Sequence, residues 1–586
     1  MFARLKCELD EFKYTIQTPK ARAAALATAD QDIDAAKHLV LSMLTLRNTL
    51  VPISTLPAEI LARIFHLFAF SKQHYSLDLV HVTHVYRRWR QIALDDSTLW
   101  THFSDLSKNK EWIAERLSRA RNAPLVVELN GSMGKDAFSL FSPHISHTRE
   151  LYLHNLFSRV SEIDPEIVRK IGIQKAPVLE RFELSVSSIS PIDIKHLSGH
   201  SFFKGPFPNL RIFCVSQILF PWSLVPRGQL TQLAVTLEKE VLPSVPEVSS
   251  HDNWNELIDL LVNCPALEVL TLKKCLPTTL SESSGGQTIH LPRLLWLCLD
   301  GSGSRVMNLL KMLKLSSSTM LRLTYRSENT ATQEDHLILP ILSAHFNDPT
   351  PVKFRTLTIN LDHVGYVGMA ASSLPISPIT HTHVIQTDSD AELCLSFHRV
   401  FELNDRVDIL RRSCNLLFLS NIEFLSISCD ILDSSINWSK VFQHCTEVTT
   451  VKVYGCGTIG FLQALTASNR ADTTACGKGG KKKRSNNGRD AQAQAIFPKL
   501  TSLLLEMLDF TDVVPGSGVL YDLVMSAVKR RKAIQTPLTA LCIDSCVISE
   551  RQAKELEKLV PDFRWDHFDG YYGYNLRWRL RVQTRR

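Results

Sequence analysis

The chain has 586 residues, of which 44% are apolar and 21% charged, and its formal net charge is +7. This composition predicts a globular protein with ample material for a large core and for more than one domain. A positive charge this modest for the length does not by itself indicate a nucleic-acid partner.

The sequence carries no sign of a membrane or secretory protein. Its beginning, MFARLKCELDEFKY, has acidic residues where a signal peptide needs an apolar core, and no apolar run approaches the roughly 18 residues of a membrane span. We therefore expect a cytoplasmic or nuclear protein with no membrane partner. The 13 cysteines are scattered along the chain, which in a reducing compartment indicates buried free thiols.

The first predicted segment, residues 1–51, contains one helix over residues 21–50. An alanine-rich start is followed by apolar residues at helical spacing, among them Ile33, Val40 and Met43. Such a stripe suits either a short coiled coil or a helix packed back on the segment that follows. Because the stripe spans few heptads, we favour the packed helix.

The stretch from Ile53 to Trp100 predicts a compact group of short helices. After Pro57, apolar side chains recur at three- and four-residue spacing, which indicates an amphipathic helix with proline near its first turn and Thr55 as its N-cap. A second apolar set, ending near Ile92, repeats the helical spacing. Short helices in so few residues cannot bury all their apolar side chains among themselves, so part of that surface should be reserved for a partner.

This stretch resembles the F-box, the motif by which substrate receptors dock on the Skp adaptor of Skp–cullin–F-box ubiquitin ligases. The resemblance rests on the order L-P-x-E-I-L-x-x-I-F, then R-R-W, then D-x-x-L-W. It implies an all-α docking domain over residues 52–103. The implied adaptor contacts are Leu56, Pro57, Glu59, Ile60, Leu61, Ile64, Phe65, Trp89, Leu99 and Trp100. The alternative is a small helical subdomain without this role.

Beyond this segment a short apolar pattern, L-x-x-L-x-L, recurs along the chain. Clear copies begin at Leu179, Leu210, Leu230, Leu267, Leu294, Phe354, Ile422, Val448, Leu500 and Leu538. Weaker copies lie at Leu151–Leu153, Leu321–Leu323 and Leu393–Phe397. Alternating apolar residues at the end of each copy predict a short strand with one buried face.

Helical patterns precede the copies at Leu267, Leu321 and Leu538, so one period reads as helix, turn and strand. Such units bury their apolar faces only by stacking. We therefore predict an irregular leucine-rich-repeat solenoid over residues 104–566, with parallel strands on its concave side and helices on its convex side. A generic α/β domain containing a parallel sheet is the alternative.

Together the two parts resemble F-box proteins with leucine-rich repeats, in particular a large basidiomycete fungal group. The fold class is then α/β, with an N-terminal all-α F-box followed by the solenoid. The resemblance implies a noncatalytic substrate receptor. The box would recruit the Skp adaptor and through it cullin, the repeats would hold an unidentified target protein, and other subunits would transfer ubiquitin.

Two segments fall outside the repeats. Residues 469–494 are rich in Gly, Lys and Asn and predict a disordered insert. The run Lys481, Lys482, Lys483 and Arg484 is a candidate nuclear localisation signal, with a solvated loop as the alternative. Residues 567–586 mix aromatic and basic side chains, for which we favour a capping strand with a basic tail over nucleic-acid binding.

The sequence contains no catalytic motif of the H-E-x-x-H, G-x-S-x-G or dinucleotide-binding type. Cys542 and Cys546, and likewise His381 and His383, lack companion ligands at zinc-site spacing. We therefore expect no catalytic residue, no metal and no cofactor. The predicted function is a substrate-recognition adaptor. A repeat scaffold acting without a ligase, and a nucleic-acid-associated protein using the basic insert and tail, are the alternatives.

Overall fold

The computed structural model describes residues 18–70, 77–104, 109–130, 139–154, 175–186, 192–193, 207–219, 221–239, 253–278, 287–326, 335–347, 352–362, 364–374, 391–400, 402–417, 419–429, 436–455, 459–466, 496–514 and 518–568. The predicted insert with its Lys481–Arg484 run, the histidine pair at 381 and 383, and most of the predicted tail lie outside these ranges. Backbone contacts divide the chain into two units. The N-terminal unit comprises Met1–Phe182 with Gly205–Pro208, and the C-terminal unit comprises Glu183–Lys204 with Asn209–Arg586.

The N-terminal unit is mainly helical. Its helices are α1 (Pro19–Thr49), α2 (Ala58–Ala69), α3 (Leu77–Val85), α4 (Arg87–Asp95) and α5 (Lys110–Ala120). Short 3-10 turns cover Pro52–Thr55, Ser97–Trp100 and Ser142–His147. Strands β1 (His102–Phe103), β2 (Leu125–Asn130) and β3 (Thr148–His154) pair in parallel in that order. Strand β4, Arg181–Ser185, spans the division between the units.

Helix α1 forms where the sequence predicts a helix, but its apolar side chains remain exposed. Leu39, Met43 and Leu46 are 47%, 61% and 63% exposed. Among the residues that the structure describes, no element covers this stripe, so the prediction that α1 packs back on the following segment is wrong. In the described ranges, no helix is both long and apolar enough to span a membrane.

The C-terminal unit is built on a sheet of mostly parallel strands. They are β5 (Ile212–Ser216), β6 (Gln232–Thr236), β7 (Val269–Lys273), β8 (Trp296–Ser302), β9 (Met320–Arg326), β10 (Thr356–Leu361), β11 (Val367–Ser372), β12 (Leu393–His398), β13 (Phe424–Cys429), β14 (Thr450–Tyr454), β15 (Ser502–Glu506), β16 (Ala540–Asp544) and β17 (Asp562–Trp565). Two-residue bridges also pair Ile192–Asp193 with Ile218–Leu219, Ile289–His290 with Leu313–Lys314, and Val513–Val514 with Gly518–Val519.

Each clear copy of the apolar pattern begins two residues before a strand, and the weaker copies lie inside strands, so the predicted strands are confirmed. Within the strands, buried and partly exposed side chains alternate as one buried face requires. The buried leucines meet in register, for example Leu270 with Leu297 and Leu297 with Leu321.

Several copies of the apolar pattern follow a short proline-containing segment, here called the lead, which forms a tight turn before the strand. The N–H of Leu267 donates to the carbonyl of Cys264 at 3.2 Å across Pro265, and Leu500 N–H donates to Phe497 across Pro498 at 3.1 Å. Proline suits the second position of such a turn because its φ angle is already set. Each lead therefore directs the chain into the first buried leucine of the next strand.

The strand order departs from the chain order at one place in the described sheet. β5 to β9 are consecutive neighbours, but β9 then pairs with β12, β12 with β11, β11 with β10, and β10 with β13. β11 is antiparallel to both of its neighbours, whereas the other pairs in this sheet, including those from β13 to β17, are parallel. The repeat pattern did not predict this reversal.

Helices lie between many of these strands, which makes the unit mixed α/β. They are α6 (Trp254–Val262), α7 (Gly303–Met312), α8 (Asp335–Asn347), α9 (Leu403–Leu416), α10 (Trp438–Val441), α11 (Ile459–Thr466), α12 (Leu520–Ala533) and α13 (Glu550–Glu557). The predicted helices before Leu267, Leu321 and Leu538 are confirmed as α6, α7 and α12.

A buried arginine ties α12 to the turn before β15. Arg531 is 1% exposed, and its guanidinium donates to the carbonyls of Ile496, Phe497 and Leu500 at 3.2, 3.0 and 3.2 Å. Burial lowers the pKa of Arg531 to about 10, so the group is still charged at neutral pH. Its guanidinium is hydrogen-bonded to three backbone carbonyls, which is the usual condition for burying a charge.

Replacing Arg531 with methionine should therefore destabilise the protein by about 2–4 kcal/mol, because the side chain keeps a similar volume while the carbonyls lose their hydrogen bonds from the guanidinium. Urea unfolding of the full chain measures this. Lys532→Met, an exposed change on the same helix, should cost less than about 0.5 kcal/mol. Equal unfolding midpoints for the two variants would contradict the structural role given to Arg531.

Candidate partner-docking site

Helix α2 begins differently from the prediction. Pro57, not Thr55, is its N-cap, with φ −54° and ψ 153°. The Thr55 hydroxyl instead donates to the carbonyl of Pro52 at 2.7 Å, closing the preceding turn. Proline is tolerated here because the first N–H groups of a helix have no intrahelical acceptor.

The two faces of α2 have different roles. Leu61, Phe65 and Ala69 are 0%, 2% and 8% exposed and form the core of this helical segment. Ile60, Ile64 and Leu67 are 48%, 36% and 69% exposed and follow one another at helical spacing. A row of large apolar side chains in water is the kind of surface that marks a protein-binding site.

The R-R-W sequence in α4 holds the start of α2 in place. Arg88 donates to the carbonyl of Ser54 and, at 2.8 Å, to that of Leu56, so one guanidinium ties α4 to the turn before α2. The ring of Trp89 lies 5.3 Å from the ring of Phe65. These contacts fix the direction in which the exposed face of α2 points.

The D-x-x-L-W sequence completes the same core. Asp96 accepts from the N–H of Thr98 at 3.0 Å, which caps the 3-10 turn, and its other carboxylate oxygen lies 3.0 Å from His66 Nε2 on α2. Leu99 and Trp100 are each 1% exposed. The Trp100 indole N–H donates to the carbonyl of Ala93 at 2.7 Å.

The predicted adaptor contacts therefore divide by exposure. Leu61, Phe65, Leu99 and Trp100 are buried within the N-terminal unit, and Leu56 and Trp89 are partly buried. Pro57, Glu59, Ile60 and Ile64 are exposed. The sequence reasoning missed Leu67, whose place on the exposed face follows from counting seven residues on from Ile60.

His102, at the end of this segment, is held as a neutral ring. Burial, reinforced by the positive charges of Arg149 and Arg116, lowers its pKa to about 4 despite the opposing Glu150. Its ring lies 4.1 Å from that of Phe70, and Thr101 Oγ1 lies 3.3 Å from Nδ1.

The outward face of the C-terminal sheet is a second candidate surface. In the strand register, Trp296 lies between Val269 and Met320, and all three are partly exposed. The guanidinium of Arg322 lies 5.3 Å from the Trp296 ring centroid. Aromatic and arginine side chains of this kind supply a large share of binding energy at protein interfaces.

Charge is distributed unevenly over this face. Around β7 to β9, Lys273 and Arg322 lie near Cys298. Burial raises the pKa of the Cys298 thiol, although these two positive charges act to lower it. Arg326 Nε donates to Asp300 Oδ1 at 3.1 Å. Around β15 to β17, burial and the nearby Asp566 and Glu506 carboxylates raise the pKa of Asp544. The face is thus basic near Trp296 and acidic near Asp544.

Residues 53–105 match the F-box-like family model, and an F-box-like domain is therefore present in this chain. The matched segment covers α2 to α4 and the buried Leu99–Trp100 pair. No curated protein significantly matches the sequence of the chain.

The neutral state of His102 predicts a pH dependence of stability. Its pKa in the folded chain lies below the unfolded value of 6.5, so the unfolded state binds more protons as the pH falls from about 6.5 towards 4, and stability is lost over that window. Between pH 7 and pH 5 the loss at this residue should be about 1–2 kcal/mol.

Replacing His102 with phenylalanine keeps an aromatic ring beside Phe70 and removes the titration. The fall in the urea midpoint between pH 7 and pH 5 should then be smaller in His102→Phe than in the original chain. If both proteins lose the same free energy over this range, the ring of His102 is not held neutral by the fold.

Proposed function

We propose that this protein is a noncatalytic substrate-recognition adaptor of a Skp–cullin–F-box ubiquitin ligase. The F-box-like domain at residues 53–105 docks on the Skp adaptor and through it on cullin, and the C-terminal unit holds a target protein. The observation that carries the proposal is the exposed apolar face of α2 within a segment that matches the F-box-like family. F-box domains generally bind Skp adaptors and F-box proteins generally serve as noncatalytic adaptors.

The docking contact would be made by the exposed part of the segment. Ile60, Ile64 and Leu67, flanked by Pro57, are available to a partner without any rearrangement of the core. Burying apolar surface of this kind provides most of the driving force for association. Leu61 and Phe65 act indirectly, because their burial sets the orientation of α2.

The C-terminal unit would act as a leucine-rich-repeat solenoid, to which its large, mostly parallel sheet is well suited. The outward side chains around Trp296 and Arg322 combine an apolar centre with basic neighbours, which supports a contact with an acidic part of the target. Binding the target beside the ligase raises its effective concentration, so ubiquitin transfer to a target lysine becomes quasi-intramolecular. A cytoplasmic or nuclear location follows from this role.

Truncating the exposed face of α2 should disrupt docking without unfolding the protein. We expect Ile60→Ala/Ile64→Ala to weaken retention of a purified Skp adaptor at least tenfold, since central apolar anchors are each worth about 1–3 kcal/mol. A pull-down followed by calorimetric titration measures the change. Thermal unfolding should shift little, because both side chains are already exposed.

Leu295→Ala/Val262→Ala is the matched control, since these apolar side chains are 52% and 43% exposed in the C-terminal unit. The control should retain the adaptor fully. Failure of the original chain to retain the adaptor, or equal retention by both double variants, would refute the proposed docking.

The target surface is tested by removing its aromatic and basic centre. When docking is blocked by Ile60→Ala/Ile64→Ala, targets should accumulate on the chain and be enriched in proximity labelling. Adding Trp296→Ala/Arg322→Ala should reduce their labelling about tenfold, whereas Lys311→Ala, an exposed change on α7, should not. If adding Trp296→Ala/Arg322→Ala leaves the labelling unchanged, the target binds elsewhere on the chain. That outcome would not affect the proposed adaptor docking, which is tested separately.

A further inference from the structure

Helix α1 is the most apolar exposed element in the described part of the chain. Its exposed large apolar side chains are Leu26, Ile33, Leu39, Val40, Leu41, Met43, Leu44 and Leu46, each between 46% and 65% exposed, and Leu50 directly after the helix is 75% exposed. Surface of this kind is costly in water unless a partner covers it. At 31 residues the helix is about 46 Å long, enough for about four heptads.

Five of these nine large apolar side chains fall on the a and d positions of a heptad repeat. With Leu26 at an a position, the a positions are Leu26, Ile33, Val40 and Arg47, and the d positions are Ala29, Ala36, Met43 and Leu50. The flanking e and g positions are charged in the N-terminal half of the repeat and apolar in the C-terminal half. Charged flanks of the first kind are typical of a coiled coil. The packing of α1 on its own chain was the competing expectation, and the exposure of the helix rules it out for the described residues.

We propose that α1 binds α1 of a second copy of this chain as a parallel two-stranded coiled coil. The choice of a second copy rests on charge complementarity within the repeat. Asp32 occupies a g position and Lys37 the following e position, so in a parallel pair Asp32 of each copy faces Lys37 of the other. Both side chains are exposed. Within one copy Lys37 Nζ also binds Asp34 Oδ1 at 2.8 Å, so Asp32 of the other copy would share or replace that ion pair.

The side chains of the seam favour two strands in parallel. Ile33 and Val40 are β-branched residues at a positions, which favour parallel dimers over larger assemblies. In the same arrangement Leu39 at g faces Leu44 at e of the other helix, so apolar residues meet apolar residues along the C-terminal half. In an antiparallel pair g positions face g positions and e positions face e positions, so Asp32 would lose Lys37 as its partner.

The dimer is independent of adaptor docking and adds to it. Because α1 precedes the F-box-like segment, pairing would join two docking domains and two target-binding units. Two linked contacts bind a target with repeated sites more tightly than one, through a higher effective concentration.

The first experiment compares adjacent residues on opposite sides of the helix. Sedimentation of the full chain over a concentration series should show a dimer, and Val40→Asp at an a position should raise its dissociation constant about a hundredfold or more. Leu41→Asp introduces the same residue at a b position, which is 59% exposed, so it lowers helix propensity similarly. It should leave the dimer intact. A monomeric original chain, or equal effects of the two substitutions, would overturn the proposal.

The second experiment tests the parallel register. Asp32→Lys and Lys37→Asp each place like charges opposite one another in a homodimer, and each should weaken it about tenfold. Mixed together, the two variants should form a heterodimer in preference to either homodimer, because both pairs are again opposite in charge. The absence of this preference would overturn the parallel pairing.

Adaptor retention separates this proposal from the proposed function. Val40→Asp should bind the Skp adaptor as the original chain does, because it leaves the exposed face of α2 unchanged. Loss of adaptor binding in a chain that is monomeric with or without the substitution would mean that the adaptor, not a second copy, covers α1.

Discussion

The sheet of the C-terminal unit depends on one constraint, which is that the buried row of each strand meets the buried row of its neighbour in register. Leu270, Leu297 and Leu321 occupy successive strands at the same level. Because side chains alternate between faces, a slip of one residue would expose these leucines and bury Lys273 and Trp296. The proline turns before β7 and β15 set the first residue of those strands, and so protect the register on which the core and the outward surface depend.

The same constraint explains how the sheet tolerates its one reversal in the described residues. β11 runs antiparallel between β10 and β12, yet Val367, Met369 and Ala371 point into the core at 0%, 4% and 3% exposure. The alternation of faces is therefore kept, and the parallel strands on either side remain at the same level. An inserted hairpin costs little when it satisfies the hydrogen bonds of both neighbours.

Sequence alone predicted the features that depend on local pattern. The strands followed from L-x-x-L-x-L copies, and α1, α6, α7 and α12 followed from helical spacing. The reversal at β11 could not be predicted, because VGMAAS contains no copy of the repeat and strand order depends on contacts distant in sequence. For the same reason the exposure of α1 could not be predicted. The pattern of apolar residues along the helix is the same whether it packs on its own chain or on a partner. The ties made by Arg88 and Arg531 also depend on distant carbonyls.

The F-box-like motif combines residues that are buried in the core with residues that are exposed to solvent. A match to the motif therefore does not by itself show which residues can contact a partner. Leu61 and Phe65 match the pattern as well as Ile60 and Ile64 do, but the first pair is buried and the second exposed. Truncating a buried residue such as Leu61 would leave a cavity and lower the free energy of unfolding by about 2–5 kcal/mol. A loss of binding in that variant could then be caused by unfolding. Truncating Ile60 or Ile64 should cost less, because each side chain is partly exposed and leaves no enclosed cavity. The proposed docking surface and the buried core are thus separate on α2, because Arg88 and Asp96 hold the helix while Ile60 and Ile64 stay exposed.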